Sequence, residues 1–274
     1  MRRSASSLNH SEADFRPSFD SLLALKLRVT RDRDSLYFVE GFRFAYAALA
    51  ANAPIVAVAH CPELARPYSA CGIADRLARY PQLRLTKEQM TALGFSPEPQ
   101  GIVLILRQQL LGLSDIVPRG AATWLGIETF RRPGNLGTIF RSAGASGSPG
   151  MFLFGNRGEH QDVFDPLVMR ASMGTHFDLK FVRSTYREFA HWEFRLEFRV
   201  LGADARGPLD YRKVGYRRPL LLMIGNERSG LSPGQRSCCD DLVRIPMARP
   251  IDSLNAAMAA TILLFEAFGQ RRNR

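Results

Sequence analysis

Lysine is scarce in this chain. Of its 37 basic side chains only four are lysines (Lys26, Lys87, Lys180, Lys213), which leaves 33 arginines. Arginine forks carboxylates and phosphates bidentately, whereas lysine acts as a point charge. The excess over 26 acidic groups, a formal net charge of +11, suits a polyanionic partner. A GC-rich genome also inflates arginine, so charge alone leaves nucleic-acid binding open. Cysteine is sparse too. Cys61, Cys71, Cys238 and Cys239 show no C-x-x-C pair and no zinc spacing, which excludes a disulfide scaffold. The adjacent pair has poor geometry for bridging, so free thiols in a reducing cytoplasm are expected. No long hydrophobic run exists. The longest, Ala256–Phe265, is about half of the roughly 20 residues that a spanning helix needs. Met-Arg-Arg opens the chain without a following apolar region, which does not read as a secretory signal. The five histidines (His10, His60, His160, His176, His191) form no H-x-x-x-H, and no compact acidic cluster is present, so no metal is expected. G-x-G-x-x-G, G-x-x-x-x-G-K-[ST] and G-x-S-x-G are all missing. The first absence speaks against a nicotinamide-dependent oxidoreductase.

What is present is globular: 46% apolar and 23% charged residues over 274 positions, enough for one large domain or two modest ones. Residues 1–20 lack periodicity and read as a flexible tail. Apolar segments at Leu36–Val39, Ile55–Ala59, Leu83–Leu85 and Gly101–Leu106 read as strands. Helical stretches lie between them at Phe42–Ala51 and after Thr86, the latter ended by Gly94. Residues 21–108 therefore form a small α/β unit. Weakly patterned residues 109–118 read as a linker. Alternation resumes over 119–274, with strands expected at Ala122–Glu128, Gly150–Phe154, Phe177–Val182, Arg199–Ala203, Leu220–Gly225 and Leu242–Met247. Helices are expected near Leu136–Ala145, Asp165–Ser172 and Tyr186–Phe194, from Ser232, and over Ser253–Phe268. Such repetition predicts a parallel sheet with helices on both faces. Residues 119–274 carry 23 basic and 15 acidic groups, against 14 and 11 before them, so a polyanion would face mostly the C-terminal half.

Three loops sit where a βα sheet presents its ligands, at the carboxyl ends of strands. The first is Arg131-Arg132-Pro133-Gly134-Asn135-Leu136-Gly137, followed by Arg141. Its helix start, near Asn135, offers backbone N–H groups to an anion; a capped helix with a solvated Arg141 is the simpler alternative. The second runs from Gly225 through Glu227 to Gly230 and Leu231. Gly225 lets a flat ligand approach the backbone, and Glu227 reads equally as a helix cap or an ion-pair partner. The third joins Ile245-Pro246-Met247 to Ser253-Leu254-Asn255. Ser253 is placed to cap the last helix, and the small residues of Ala256–Ala260 permit close packing.

In this order and spacing the three loops resemble the three motifs of the SpoU (TrmH) family of RNA ribose methyltransferases, in the SPOUT superfamily. Asn135, Gly137 and Arg141 match the first motif; Gly225, Glu227, Gly230 and Leu231 the second; Ile245-Pro246-Met247 with Ser253-Leu254-Asn255 the third. Ala171-Ser172-Met173-Gly174 resembles the segment between motifs. Val39-Glu40-Gly41 and Pro99-Gln100-Gly101 resemble the start and end of the ribosomal-protein-like substrate-binding domain that precedes many SpoU domains. The resemblance covers about residues 18–270 and implies an α/β SPOUT domain with a trefoil knot. It also implies bound S-adenosyl-L-methionine, a homodimer, and a 2′-O-methylated ribose in ribosomal or transfer RNA, ribosomal before transfer. It places Gly225, Ile245, Met247 and Leu254 at the cofactor. Arg141 matches the catalytic arginine. A guanidinium does not act readily as a base, so its expected task is holding the target phosphate, with that phosphate helping remove the 2′-hydroxyl proton. Asn135 would position Arg141 or the ribose, Ser253 and Asn255 would shape the transfer loop, and Glu227 would brace the knot or the dimer face. Two departures stand out: Arg132 where the family usually has an acidic residue, and Ala256-Ala257 where Val-Ser is common. A catalytically inactive RNA-binding protein of the same fold is the alternative.

Overall fold

The computed structural model describes residues 16–272 apart from 66–71, 95–97, 119, 157–158, 217 and 250–252. Most of the expected tail, and Cys71, lie outside the described residues. The serines at the tail's end have a structural task. Ser18 and Ser21 form a reciprocal capping box that opens α1 (Phe19–Ala24), with the Ser21 amide donating to Ser18 Oγ at 3.1 Å.

The N-terminal unit contains α2 (Arg28–Asp34), β1 (Leu36–Glu40), α3 (Phe42–Ala50), β2 (Ile55–His60), α4 (Pro62–Ala65), α5 (Ile73–Leu77), β3 (Gln82–Arg84), α6 (Lys87–Leu93) and β4 (Ile102–Arg107). Its sheet is mixed, in the order β1-β4-β2-β3, with β4 antiparallel to both neighbours. Both faces are covered because side chains alternate. Leu36, Phe38, Val103 and Ile105 pack with Leu22, Leu25, Met90 and Leu93, while Tyr37, Val39, Leu104 and Leu106 face the other way. The two short motifs at its ends brace each other: Gln100 Oε1 accepts the Phe42 amide at 3.0 Å, and Glu40 Oε1 accepts the Gln100 amide at 3.3 Å.

The second sheet is wholly parallel. Its elements are β5 (Thr123–Ile127), α7 (Pro133–Ala145), β6 (Gly150–Phe154), α8 (Pro166–Ser172), β7 (Lys180–Ser184), α9 (Tyr186–Ala190), β8 (Arg199–Ala203), β9 (Leu209–Asp210), β10 (Leu220–Met223), α10 (Pro233–Cys238), β11 (Asp241–Arg244) and α11 (Ala256–Arg272). The order is β7-β6-β5-β10-β8-β11-β9. The late strand β10 thus lies between β5 and the earlier β8, and the carboxyl ends of β5, β10 and β11 carry the three loops.

Several boundaries differ from expectation. Residues Thr175–Asp178 form a 3-10 turn, so β7 begins at Lys180 instead of Phe177. His176 anchors that turn: it is 3% exposed, with Nδ1 3.0 Å from Ser172 Oγ, and burial lowers its pKa to about 3. β11 stops at Arg244, two residues before Pro246, which has no N–H for a ladder. The last helix starts at Ala256, and Asn255 caps it instead of Ser253, its Oδ1 accepting the Ala257 and Met258 amides at 2.8 and 3.3 Å.

The expected linker is not detached. Leu111 bridges to the edge strand β7, donating to the Phe181 carbonyl at 2.8 Å and accepting from the Arg183 amide at 2.9 Å. The inner face of the first sheet merges with the core of the second, where Tyr37 and Phe164 have ring centroids 4.7 Å apart. At the rim, buried Arg31 pairs with Asp162, and Arg28 donates to the His160 carbonyl at 2.6 Å. Cys61, Cys238 and Cys239 are free thiols, and burial pushes Cys239 up to about 12. Among the described residues no helix is long and apolar enough to cross a membrane.

Candidate active site

The loop after β5 is held at every residue from Glu128 to Arg132. Tyr186 Oη donates to Glu128 Oε2 at 2.7 Å, and Asn226 Nδ2 donates to the Thr129 carbonyl at 3.1 Å. The Phe130 amide donates to Gln161 Oε1 at 2.6 Å. The Arg131 and Arg132 amides donate to Glu227 Oε2 and Oε1 at 3.3 and 3.4 Å. Partners from three other segments therefore fix one loop. The anion expected at the start of α7 is supplied by the chain itself: the Glu227 carboxylate, where the helix dipole favours negative charge.

Glu227 also joins the three loops. Asn135 Nδ2 donates to Glu227 Oε1 at 3.0 Å, and Asn255 Nδ2 donates to Asn135 Oδ1 at 3.2 Å. Burial alone would raise the Glu227 carboxyl. Its own backbone N–H, the Asn135 amide and the Arg131 and Arg132 amides outweigh this and hold it below the usual carboxylate range. The carboxylate is thus the charged acceptor on which the network closes.

Beside this network lies a cleft of about 450 Å³, within the size range of small-molecule sites. Its apolar lining includes Ile224, Val243, Ile245, Met247, Leu254 and Leu263, and its polar lining includes Asp204, Glu227, Arg228, Arg236 and Ser253. Gly225, Ile245, Met247 and Leu254, the four expected cofactor positions, all line it. Gly225 is required for a different reason from the one its sequence context suggests. A Cβ there would lie 2.2 Å from the Gly230 carbonyl carbon. The loop folds back on itself through paired Asn226–Gly230 backbone hydrogen bonds of 2.9 and 3.0 Å, so the space beside Gly225 is filled by its own chain.

The structure separates the expected catalytic residues. Asn135 and Asn255 belong to the Glu227 network and do not line the cleft. Arg141 sits on α7 as an exposed side chain, and no described residue hydrogen-bonds or ion-pairs with it. Asn135 therefore does not orient Arg141 directly. Sequence reasoning missed the wall built after β8, where Asp204 pairs with Arg236 and accepts the Arg206 amide at 2.8 Å. The signal for it was the position of Asp204 just past an apolar strand, at the same carboxyl edge as the three loops. Among the described residues no group of three His, Cys, Asp or Glu is placed to hold a metal ion.

Comparison with known proteins agrees with this geometry. A model of the SpoU rRNA methylase family matches residues 123–265, and a model of an MRM3-like substrate-binding domain matches residues 17–104. A 23S rRNA uridine 2′-O-methyltransferase of Streptomyces viridochromogenes is 35% identical over 206 residues, covering 72% of this chain and 70% of that protein. A SpoU methyltransferase from the same organism, solved with AdoMet, superimposes with a TM-score of 0.83 at 32% identity, covering 93% of this chain and 97% of that one. An AdoMet-bound rRNA methyltransferase from Sinorhizobium meliloti gives 0.80 at 30% identity, over 98% and 97% of the two chains.

Proposed function

Because this chain belongs to the SpoU rRNA methylase family, we propose that it methylates a ribose 2′-hydroxyl in RNA, ribosomal before transfer, with S-adenosyl-L-methionine as methyl donor. The observation that carries this reading is the junction of all three motif loops at Glu227, beside a cleft lined by Gly225, Ile245, Met247 and Leu254. The cleft fits the donor: apolar walls suit an adenine ring and a thioether-like chain, while Asp204, Arg206, Glu227 and Arg228 offer charges of both signs to an amino-acid tail. When bound, S-adenosyl-L-methionine supplies an electrophilic methyl group on a sulfonium.

The chain's own residues supply position. Arg141, exposed and unengaged on α7, takes a phosphate oxygen next to the target ribose. That phosphate accepts the 2′-hydroxyl proton. Asn135 and Glu227 hold the loop preceding Arg141, and Asn255 fixes the start of α11 against it. Ser253, exposed at the cleft, would shape the transfer loop around the donor. Holding a weak hydroxyl nucleophile in line is itself a large source of rate.

The assembly is a homodimer in this reading. Leu254, Met258 and Phe265 are exposed by 38, 51 and 44% around and along α11, an apolar strip that a second copy would cover. The placement of β10 between β5 and β8 is compatible with a C-terminal segment threaded as a trefoil knot, and the reducing cytoplasm suits the free thiols. Incubation with labelled S-adenosyl-L-methionine and unmodified ribosomal or transfer RNA, read by nucleoside mass spectrometry, tests the function. A 2′-O-methylnucleoside from ribosomal RNA is expected. Cofactor binding without transfer to either pool would count against the reading, and loss of both would favour a binding protein without catalysis.

A further inference from the structure

Arg132, which stands where the SpoU family usually has an acidic residue, is locally unfavourable in three ways. It is the N-cap of α7, yet its side chain makes no capping hydrogen bond, where Ser, Thr, Asp or Asn would add stability. It brings a cation to the positive end of a helix dipole, and the first turn of α7 holds no acidic residue to offset it. It also follows a second arginine, Arg131. Both side chains are exposed, and no described residue hydrogen-bonds or ion-pairs with either guanidinium.

The acidic groups nearby are already engaged. Glu227 accepts the backbone amides of Arg131 and Arg132 and the side-chain amide of Asn135. Glu128 accepts Tyr186 Oη at 2.7 Å, and Asp204 pairs with Arg236. What this rim leaves free is therefore a pair of side chains, not a helix terminus. Their base is rigid, because Gln161 holds the preceding Phe130 amide at 2.6 Å and Pro133 follows as the first residue of α7. A fixed base lowers the ordering cost of engaging a ligand.

An arrangement that costs stability, and that nothing in the fold offsets, is expected at a functional site. The missing partner is an anion, and two adjacent guanidinium forks suit the oxygens of a phosphodiester backbone. Arg141 lies nine residues further along, about 13 Å of helix. Phosphates of a nucleic-acid strand follow one another at roughly 3.4 Å of rise in a duplex, so the pair stands several nucleotides from the phosphate assigned to Arg141. We propose that Arg131 and Arg132 hold the backbone of the substrate RNA at that distance from the target ribose, as a sequence-independent anchor in the catalytic unit. The proposal rests on the RNA-methylation reading for the identity of the polyanion and adds a second phosphate site to it.

The test uses the full chain and a fluorescein-labelled oligouridylate, with binding read by anisotropy over a range of salt. Arg131→Ala and Arg132→Ala are each expected to weaken binding about three- to tenfold. Each should also lower the slope of log affinity against log salt by about 0.7, the value for one phosphate of a single strand. Arg132→Lys is expected to keep the slope and recover part of the affinity, since it retains the charge without the fork. Arg132→Asp is expected to weaken binding most while raising the melting temperature by about 2–4 °C, because it restores a cap and suits the dipole. Weaker binding by a more stable protein does not come from unfolding. S-adenosyl-L-methionine affinity by calorimetry stays within about twofold throughout, as neither side chain lines the cleft. If both alanine variants keep the affinity and slope of the unaltered protein, the pair is not an anchor, while the methylation reading stands. If affinity falls with an unchanged slope, the contact is not with phosphate and the proposal falls. If the variants halve the mass seen by light scattering, the pair joins two copies and the proposal falls as well. If the unaltered protein transfers methyl groups to no RNA, the methylation reading fails, and the salt slopes still decide whether the pair binds a nucleic-acid backbone.

Discussion

Two arginines mark opposite extremes of this molecule. At the seam between the sheets, Arg31 is 1% exposed and donates to the Leu25 and Lys26 carbonyls, at 2.8 Å each, and to Asp162. On the outer face of α7, Arg141 is exposed and engages no described residue. The first guanidinium is spent on architecture, and the second, in the proposed function, meets a phosphate. The same division holds for the motif loops. Glu227, Asn135 and Asn255 are occupied with one another, while Ile245, Met247, Ser253 and Leu254 line the cleft outside that network. Motif residues thus divide into those bound to one another and those left facing open space.

The largest effect that would sharpen this contrast is on folding. Arg31→Met removes a buried cation and leaves Asp162, only 15% exposed, without its partner. Breaking such a pair typically costs about 3–5 kcal/mol. A matching drop in the denaturant midpoint, with catalysis per folded molecule unchanged, is the expected outcome. An unchanged midpoint would show that the shared apolar core, with Tyr37 on Phe164, joins the two sheets without this pair.

Arg141→Ala should do the reverse. Stability stays within about 0.5 kcal/mol, as for an exposed side chain without partners. Methyl transfer falls on the order of 10²–10³-fold, the usual cost of removing one aimed electrostatic contact. Cofactor affinity measured without RNA is expected to stay within twofold. Tenfold weaker cofactor binding would place Arg141 at the cleft instead of at the phosphate.

These two arginines also show how far the sequence could be read. Arg141 was legible because it follows a Pro-Gly turn at a strand's carboxyl end and matches a motif. Arg31 was not, since nothing local distinguishes it from the solvated arginines around it; its partner is 131 residues away. Periodicity found every long strand of both sheets, because alternation and apolar runs are local signals. It could not find the mixed order β1-β4-β2-β3 or the insertion of β10 beside β5, since pairing is decided by distant surfaces. The four expected cofactor positions line one cleft, yet the packing reason for Gly225 lies in its own loop's return. Asn135 and Arg141 make no direct contact for a geometric reason: six residues of helix turn them about 120° apart.

Glu227→Gln probes the network with a smaller expected effect. The carboxylate accepts two backbone amides and the Asn135 amide, and a neutral amide gives weaker hydrogen bonds. A loss of about 1–2 kcal/mol is expected near neutral pH. Because the folded carboxyl is held below its ordinary range, its contribution is present above the unfolded value and lost as pH falls through the folded one. The gap between Glu227 and its Gln variant should therefore close on acidification below about pH 4. A gap that persists there would mean that shape, not charge, carries the network.

The finest test compares two neighbours in the third loop. Asn255 caps α11 through two amides and also holds Asn135. Ser253, which a sequence would choose as the cap, is exposed at the cleft and carries no such bond in the described structure. Asn255→Ala should therefore cost about 1 kcal/mol, the usual value of an N-cap, seen as a lower melting temperature. Ser253→Ala should leave stability within about 0.5 kcal/mol of the unaltered protein and register instead in the cofactor dissociation constant. If the two variants exchanged these signatures, Ser253 would be the cap in solution and Asn255 the residue at the ligand. The division between side chains that build the site and those that serve it would then fail at the point where they are only two residues apart.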